Sequence, residues 1–319
     1  MRLTLGSAAF WLTTIVCAGS ACAQSFPSKP IRFMIGFTPG ALTDGVARVV
    51  GIEMEKRLGQ PVILEFRPGA NGTIAAKYVA TSNPDGYTLF FGSTLPMHPI
   101  FTLNNSVDAE KELAAVSRTA TQPFYFMSNS KLPVNSYQEL LAFGKANPGR
   151  LTQGSSTALQ DLIMGILKDR TGLETRSIPF KGSPQVAAAL LAGDVDVTIG
   201  GVLAYLPHVQ AGKVRLLFVA SRERSSGLRD VPSAVEAGIP NFEAGLDYGL
   251  WAPVGMPREI LLKLGTEAAI ATKVPAVLER MQTFSAEPVG SSPDEAARTF
   301  ASVMKFWKEA TRVAGFKPQ

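Results

Sequence analysis

The sequence is nearly free of cysteine and histidine. Its two cysteines, Cys17 and Cys22, lie near the N-terminus, and His98 and His208 are the two histidines of the 319-residue chain. Beyond residue 23 the chain therefore has no thiol for a disulfide, a nucleophile or a metal site. The two histidines are also too far apart in sequence for the H-E-x-x-H zinc motif, so we expect no metal site of that kind.

Long apolar segments and clusters of one charge sign are also missing. After residue 23 no stretch approaches the roughly 20 apolar residues of a transmembrane helix. The 31 basic and 26 acidic residues give a net charge of +5, and Glu223 interrupts the densest basic group, at 222–229. This scattered distribution argues against nucleic-acid binding and indicates a mild preference for anions.

Sequence signatures of common enzymes are missing as well. The chain has no G-x-x-x-x-G-K-[ST] phosphate loop, no G-x-G-x-x-G segment after a predicted strand and no G-x-S-x-G hydrolase motif. These absences argue against nucleotide chemistry. A secreted serine hydrolase stays open as an alternative, in which His98 or His208 would act as the base.

One pair of carboxylates has the spacing of neighbours on a strand face. Asp194 and Asp196 are separated by one residue, so on a strand their side chains point to the same side. Such a pair could act in acid–base catalysis. We favour the simpler interpretation, a turn aspartate after Gly193 followed by an aspartate at a strand edge.

The N-terminus has the pattern of a secretory signal peptide. The start is basic, residues 3–18 are mostly apolar, and small residues at 21 and 23 suit signal peptidase. Polar residues at 7, 13 and 14 interrupt the apolar segment, which argues against a membrane anchor. We predict a signal peptide over 1–23, cleavage after Ala23 and a periplasmic location. A lipoprotein modified at Cys17 or Cys22 stays open.

Strands alternate with helices from residue 31 onwards. A strand at 31–37 is followed by a loop and a helix that ends near Gly59, and the same order recurs with a strand at 61–66 and a helix from about Thr73. Short loops between such elements predict a largely parallel sheet covered on both faces.

The alternation returns in the second half of the chain. Thr157 and Gln160 form a capping-box pattern before an apolar helix, and Ser183 with Pro184 suits the cap and first position of the next helix. A final helix opens near Ser292. Because no low-complexity linker separates the halves, we expect two α/β lobes, a chain that crosses between them more than once, and a cleft at the seam.

Loops of small or flexible residues follow the predicted strands and open helices in both halves. Ligands of open α/β sheets bind beyond the carboxyl ends of the strands, and unpaired N–H groups at helix starts can hold a carboxylate or phosphate. Each loop alone is explained by ordinary helix capping. Their recurrence in both halves favours an anion-binding cleft. The loops are 38–43, 93–94, 154–157 and 181–183.

A series of short motifs also runs along the chain in a fixed order. They include Phe37-Thr38-Pro39-Gly40, Arg67-Pro68-Gly69-Ala70, Pro84-Asp85-Gly86-Tyr87, Pro179-Phe180-Lys181-Gly182, Ala192-Gly193-Asp194-Val195-Asp196 and Ala286-Glu287-Pro288-Val289-Gly290. Each motif is weak alone, but together they span essentially the whole mature chain. In number and order they resemble the Bug (TctC-like) family, the extracytoplasmic solute receptors of tripartite tricarboxylate transporters.

The resemblance implies a fold and a function. It implies a two-lobed periplasmic binding protein fold of type II-like α/β architecture, each lobe a mostly parallel sheet flanked by helices. Lobe 1 would comprise 24–123 with 248–319, and lobe 2 would comprise 124–247. The expected function is capture of a small organic acid between the lobes by a monomer and its delivery to membrane subunits of TctA and TctB type. The resemblance implies no catalysis and no cofactor. A ligand-loaded receptor that signals to a membrane sensor stays open as an alternative.

The resemblance and the loops together give a set of expected ligand-binding residues. In the family the Phe-x-Pro-Gly loop and the following helix start hold a carboxylate, largely through backbone groups and ordered water, although Asp44 could equally be only a helix cap. The expected residues are Phe37, Thr38, Pro39, Gly40, Ala41, Thr43, Asp44, Ser93, Thr94, Gly154, Ser155, Ser156, Thr157, Lys181, Gly200 and Gly201.

Three positions depart from the family pattern. Ala41 replaces a usual second glycine, and Phe180 stands where tyrosine is common and so lacks a hydroxyl. Gly200 and Gly201 stand where members often carry Asp-Asn. This last departure favours a ligand without a cationic amine, such as a bulkier or aromatic acid. An unchanged ligand preference after Gly200→Asp would contradict this hypothesis.

Overall fold

The computed structural model describes residues 26–40, 42–93, 107–283 and 285–313. The predicted signal peptide lies outside the described residues, and so do Ala41, Thr94 and His98. In the part of the chain that is described, no helix combines the length and apolar character needed to cross a bilayer.

Eleven strands and ten helices occur within the described ranges. The strands are β1 (Ile31–Ile35), β2 (Val62–Phe66), β3 (Thr88–Gly92), β4 (Leu113–Pro123), β5 (Tyr125–Asn129), β6 (Thr152–Ser155), β7 (Arg176–Pro179), β8 (Val197–Gly200), β9 (Val214–Val219), β10 (Gly245–Pro253) and β11 (Glu287–Pro288). The helices are α1 (Leu42–Leu58), α2 (Thr73–Ala80), α3 (Ala109–Glu112), α4 (Tyr137–Ala146), α5 (Ala158–Thr171), α6 (Ser183–Ala192), α7 (Leu206–Gln210), α8 (Arg258–Ala271), α9 (Pro275–Thr283) and α10 (Pro293–Val313).

The first lobe is built on a six-stranded sheet of order β11-β4-β10-β3-β1-β2. Alternation along β1 directs Phe33 to a core shared with α1, α8 and α9. Met34 points to the opposite face, where it packs with Phe90 and Trp251 beneath α2. Both faces of the sheet are therefore covered by helices, and its strand ends are left to form a site.

The second lobe is built on a five-stranded sheet of order β7-β6-β8-β5-β9. One face packs Phe126 and Phe218, whose rings are stacked 5.3 Å apart, against α4 and α5. The other face packs Tyr125 and Met127 against α6 and the start of α7. As in the first lobe, helices cover both faces of the sheet and leave the carboxyl ends of its parallel strands uncovered.

Most strands of each sheet run in one direction, as expected, but each sheet also contains antiparallel strands. In lobe 1, β1 is parallel to β2 and β3, but β10 is antiparallel to β3 and β4. In lobe 2, β6 is parallel to β7 and β8, but β5 is antiparallel to β8 and β9. The antiparallel direction of β5 and β10 arises because the chain crosses between the lobes. The parallel strands of each sheet point their carboxyl ends towards the cleft. Strands β5 and β10 each enter a lobe from the cleft and therefore run the opposite way.

The two crossings lie side by side. Strand β4 ends at Pro123 and β5 follows at once, while β10 returns to the first sheet. Between them, the Phe124 N–H donates to Ala244 O at 2.8 Å and the Ala244 N–H donates to Ala220 O at 2.9 Å. We call β4 and β10 the crossing strands. Helix α10 runs alongside them and places Met304 and Trp307 in the core of lobe 2.

Candidate ligand-binding cleft

The lobe 1 half of the cleft forms where β1 and β3 end. These strands are parallel neighbours, which brings the loop after β1 beside Ser93, the residue that follows β3. Thr38, Pro39 and Gly40 are exposed in that loop. Ser93 is only 3% exposed, and its Oγ has no hydrogen-bond partner among the described residues. A buried hydroxyl of this kind is available to a polar ligand.

Asp44 closes the loop at the start of α1. It is buried in the first turn of the helix, inside the helix and not at the cap position. Its Oδ2 accepts a hydrogen bond from the Gly40 N–H at 2.9 Å, and its Oδ1 accepts one from Arg48 Nη2 at 2.8 Å. Both carboxylate oxygens are thus engaged in shaping the loop, and Arg48 balances the negative charge.

A glycine fixes the position of this loop against the next turn. A Cβ at Gly36 would collide with Gly72 Cα, so the backbone after β1 touches the turn that precedes α2. Only glycine permits such an approach. The contact holds the ends of β1 and β2 together at the cleft.

The lobe 2 half forms where β6, β7 and β8 end side by side. The Phe180 N–H donates to Ser155 O at 2.8 Å, and the hydroxyls of Ser156 and Ser183 lie 3.4 Å apart. Thr157 caps α5 by accepting from the Gln160 N–H, which confirms the predicted cap, whereas the Gln160 side chain accepts from the Ser156 N–H and not, as in a capping box, from the Thr157 N–H. The predicted cap at Ser183 is wrong by one residue. Gly182 occupies the cap position with extended backbone, and Ser183 is the first residue of α6.

The Gln160 side chain links two parts of the lobe 2 half-site, a contact that the sequence did not predict. Its Oε1 accepts from the Ser156 N–H at 2.8 Å, and its Nε2 donates to Ile199 O at 2.6 Å. The amide therefore bridges the loop after β6 to the end of β8. A Cβ at Gly200 would lie 3.0 Å from Gln160 Nε2, so the space beside this glycine is bounded by an amide already in use.

A second glutamine, Gln122, faces the neighbouring glycine. A Cβ at Gly201 would lie 3.3 Å from both the Nε2 and the Oε1 of Gln122, a nearly buried residue of β4. The Tyr248 hydroxyl donates to Gln122 Oε1 over a long 3.5 Å. Burial raises the pKa of Tyr248 well above its usual range, so the phenol stays protonated and acts as the donor. Nothing in the sequence pattern singled out Gln122.

The cleft is suited electrostatically to an anion. Helices α1, α5 and α6 all start at it, and each directs backbone N–H groups and the positive end of its dipole there. Lys181 is exposed beside α6 and forms no ion pair with any described residue. Backbone donors, hydroxyls and one ammonium can together hold a carboxylate.

The alternative catalytic groups lie elsewhere. Asp196 Oδ2 accepts from the backbone N–H of Thr152 at 2.8 Å and from its hydroxyl at 2.9 Å, at the start of β6, and Asp194 is exposed in a turn. The structural interpretation of this pair is therefore confirmed. His208 lies on α7, and none of its hydrogen bonds within the described residues reaches a serine. Those residues also contain no cluster of metal-binding side chains.

A separate cavity of about 690 Å³ lies between the crossing strands, α10 and the loop at 220–225. Thr121 and Pro123 of β4 line it, whereas Gln122 between them does not. Alternation along the strand thus directs Gln122 to the opposite face. Among the predicted site residues that are described, only Ser93 lines this cavity. The predicted loops form a different part of the interlobe surface.

The fold and the paired half-sites define a two-lobed solute-binding receptor of the periplasmic binding protein class. The chain matches the tripartite tricarboxylate transporter family receptor, TctC, over residues 46–315. It belongs to this family. A UPF0065 protein of Bordetella bronchiseptica is 34% identical over 94% of this chain and 90% of its own length. BugT of Bordetella pertussis is 31% identical over 99% of both.

Solved structures show the same architecture. An R. palustris protein solved with adipate superposes with a TM-score of 0.78 at 29% identity, over 92% of this chain and 100% of that one. BugD gives a TM-score of 0.74 at 27% identity over the same shares. MatC of Rhodopseudomonas palustris, solved with malate, gives 0.70 at 27% identity over 89% of this chain and 99% of its own.

Proposed function

We propose that the protein is a periplasmic receptor that captures a small carboxylate between its lobes and delivers it to the membrane subunits of a tripartite tricarboxylate-type transporter. The observation that carries the proposal is the convergence of strand ends and helix starts from both lobes on one cleft. Adipate and malate in two similar structures support a carboxylate as the ligand class.

The proposed contacts follow from the chemistry of the two half-sites. Lobe 1 would offer the exposed backbone of residues 38–40 and the Ser93 hydroxyl, and lobe 2 would offer Ser156, Thr157 and Lys181. A ligand that touches both halves favours the closed arrangement by its difference in affinity for the two states. The expected site residues Ala41 and Thr94 belong to this proposal but lie outside the described residues.

The proposal also includes the more detailed predictions made from the sequence. The signal peptide is cleaved after Ala23, and the mature protein is a monomer without catalytic activity. Lobe 1 comprises 24–123 with 248–319, and lobe 2 comprises 124–247. The passage from β4 to β5 just after residue 123 supports the first boundary. The start of β10 at Gly245 supports a return to lobe 1 a few residues before the second.

The test is ligand-induced stabilisation of the mature chain, residues 24–319, after denaturation and refolding to remove any co-purified ligand. The panel contains di- and tricarboxylates, aromatic acids and amino acids. An acid present at about 100 times its Kd should raise the free energy of unfolding by roughly 2.7 kcal/mol, seen as a shift of several degrees in Tm. Recovery of the acid unchanged would separate binding from turnover.

Two charge-matched variants test the site. Lys181→Ala should weaken binding of the stabilising acid, since it removes the cation at the cleft. Lys145→Ala removes another exposed lysine, from α4 and away from the cleft, and should leave binding unchanged. Absence of stabilisation by every acid, or consumption of the acid, would contradict the proposed function.

A further inference from the structure

The inference concerns the side-chain amide that a crossing strand places at the end of β8. Gln122 is only 6% exposed, and both polar atoms of its amide lie 3.3 Å from the point that a Cβ on Gly201 would occupy. Because Gly201 has no side chain, the Gln122 amide can pack directly against the backbone that follows β8, where a methyl group would be tight. The amide therefore lies beside the carboxyl end of β8, one of the strand ends of the lobe 2 half-site.

The orientation of the Gln122 amide leaves its donor end free. The Tyr248 hydroxyl approaches Oε1, the acceptor end, at 3.5 Å. Nε2 forms no hydrogen bond with any described residue. A nearly buried N–H group without an acceptor costs stability unless a ligand or solvent oxygen satisfies it.

Gln160, the other side-chain amide beside Gly200 and Gly201, has no free hydrogen-bond donor. Gln160, which bounds the space beside Gly200, uses its Nε2 on Ile199 O and its Oε1 on Ser156. Removing the Gln160 amide would release the loop after β6. This amide therefore stabilises the site but has no free group to bind a ligand. Of the two amides, Gln122 is the one that can respond to the chemistry of the ligand.

We propose that Gln122 is a specificity-determining residue that donates a hydrogen bond from Nε2 to an acceptor oxygen of the bound acid at the end of β8. The ligand class is a dicarboxylate or hydroxy acid with an oxygen at this point, in preference to an amino acid with an ammonium group there. Neither Gln122 nor Gln160 carries the negative charge that a desolvated ammonium group requires. This inference rests on the proposed carboxylate-receptor function.

The experiment compares malate, adipate and aspartate by titration calorimetry. Malate and aspartate share a four-carbon dicarboxylate skeleton and differ in a hydroxyl against an ammonium group. Wild-type protein should bind malate or adipate more tightly than aspartate. Gln122→Leu should weaken binding of the preferred acid about ten-fold or more, the size of effect expected when a hydrogen bond to a charged group is lost.

Two further variants separate recognition from structure. Gln122→Glu places a carboxylate at the same point, so it should weaken malate and adipate further while shifting the affinity ratio towards aspartate. Gly201→Ala would crowd the Gln122 amide and displace it, and should weaken binding of the preferred acid. Gln138→Leu makes the same chemical change on an exposed face of α4 and should change nothing. Unfolding of each ligand-free variant checks that it is folded.

The outcomes distinguish this inference from the function on which it rests. Binding of malate or adipate that is the same in wild type, Gln122→Leu and Gln122→Glu would overturn the role of Gln122 and leave the receptor function standing. Tighter wild-type binding of aspartate than of malate and adipate would overturn the ligand class. Failure of the wild type to bind any acid of the wider panel would overturn the proposed function and the inference with it.

Discussion

Asp44 shows how a single buried carboxylate organises the start of α1. It accepts from the Gly40 N–H and from Arg48, whose side chain is 54% exposed, whereas the Asp44 side chain is only 10% exposed. We expect Asp44→Asn to lower the free energy of unfolding by about 1–3 kcal/mol, because a buried hydrogen bond to a charged acceptor is weakened. Urea denaturation measures this difference.

The matched variant for Asp44 is Arg48→Met. It removes the exposed half of the same ion pair and should cost less than about 1 kcal/mol. Asp44→Asn should also weaken binding of the stabilising acid, because the loop at 38–40 loses its anchor. Equal costs for the two substitutions would show that the bond to Gly40 contributes nothing to the loop.

Helices α4 and α5 each begin with a hydroxyl N-cap, but only α5 begins at the cleft. Ser136 caps α4 and Thr157 caps α5, each accepting from the backbone N–H three residues on. Ser136→Ala and Thr157→Ala should each lower the free energy of unfolding by about 1 kcal/mol. Only Thr157→Ala should also weaken ligand binding, because α5 starts at the cleft and α4 does not. Equal ligand affinities in both variants would argue against a role for the α5 terminus in binding.

Elements set by local chemistry were predictable from the sequence. The start of α5 follows from Thr157 and Gln160, and the apolar face of α10 follows from the spacing of Phe300, Met304 and Trp307. The displacement of the α6 cap from Ser183 to Gly182 is the error of one residue that two adjacent small residues allow.

Strand direction could not be read in the same way. The direction of β10 depends on its pairing with β4, whose residues lie more than a hundred positions earlier in the chain. Local hydrophobic patterns carry no information about that pairing, so the sequence did not predict which strands run antiparallel. The role of Gln122 was missed for the same reason, because its neighbour Gly201 is distant in sequence and the intervening chain forms most of lobe 2.

At the scale of the whole molecule, the lobes are joined by more than the crossing strands. Glu287 lies on β11, which pairs with β4 of the lobe 1 sheet. Its carboxylate accepts from Ser225 Oγ at 2.6 Å, from the Ser226 N–H at 2.9 Å and from Ser226 Oγ at 2.7 Å. The two serines follow β9 of lobe 2, so one carboxylate links the edges of both sheets.

This link should appear as coupling between the lobes in unfolding experiments. We expect Glu287→Gln to lower the free energy of unfolding by about 1–3 kcal/mol, since the charged acceptor of three hydrogen bonds is lost, and Ser226→Ala to cost about 0.5–1.5 kcal/mol. The double variant should cost less than the sum, with a coupling energy of about 0.5 kcal/mol or more, because both substitutions remove the same contact. Glu279→Gln, an exposed glutamate on α9, should stay within about 0.5 kcal/mol of wild type. Additive costs for Glu287→Gln and Ser226→Ala would show that the contact does not stabilise the joined lobes, and that the crossing strands and α10 hold them together without it.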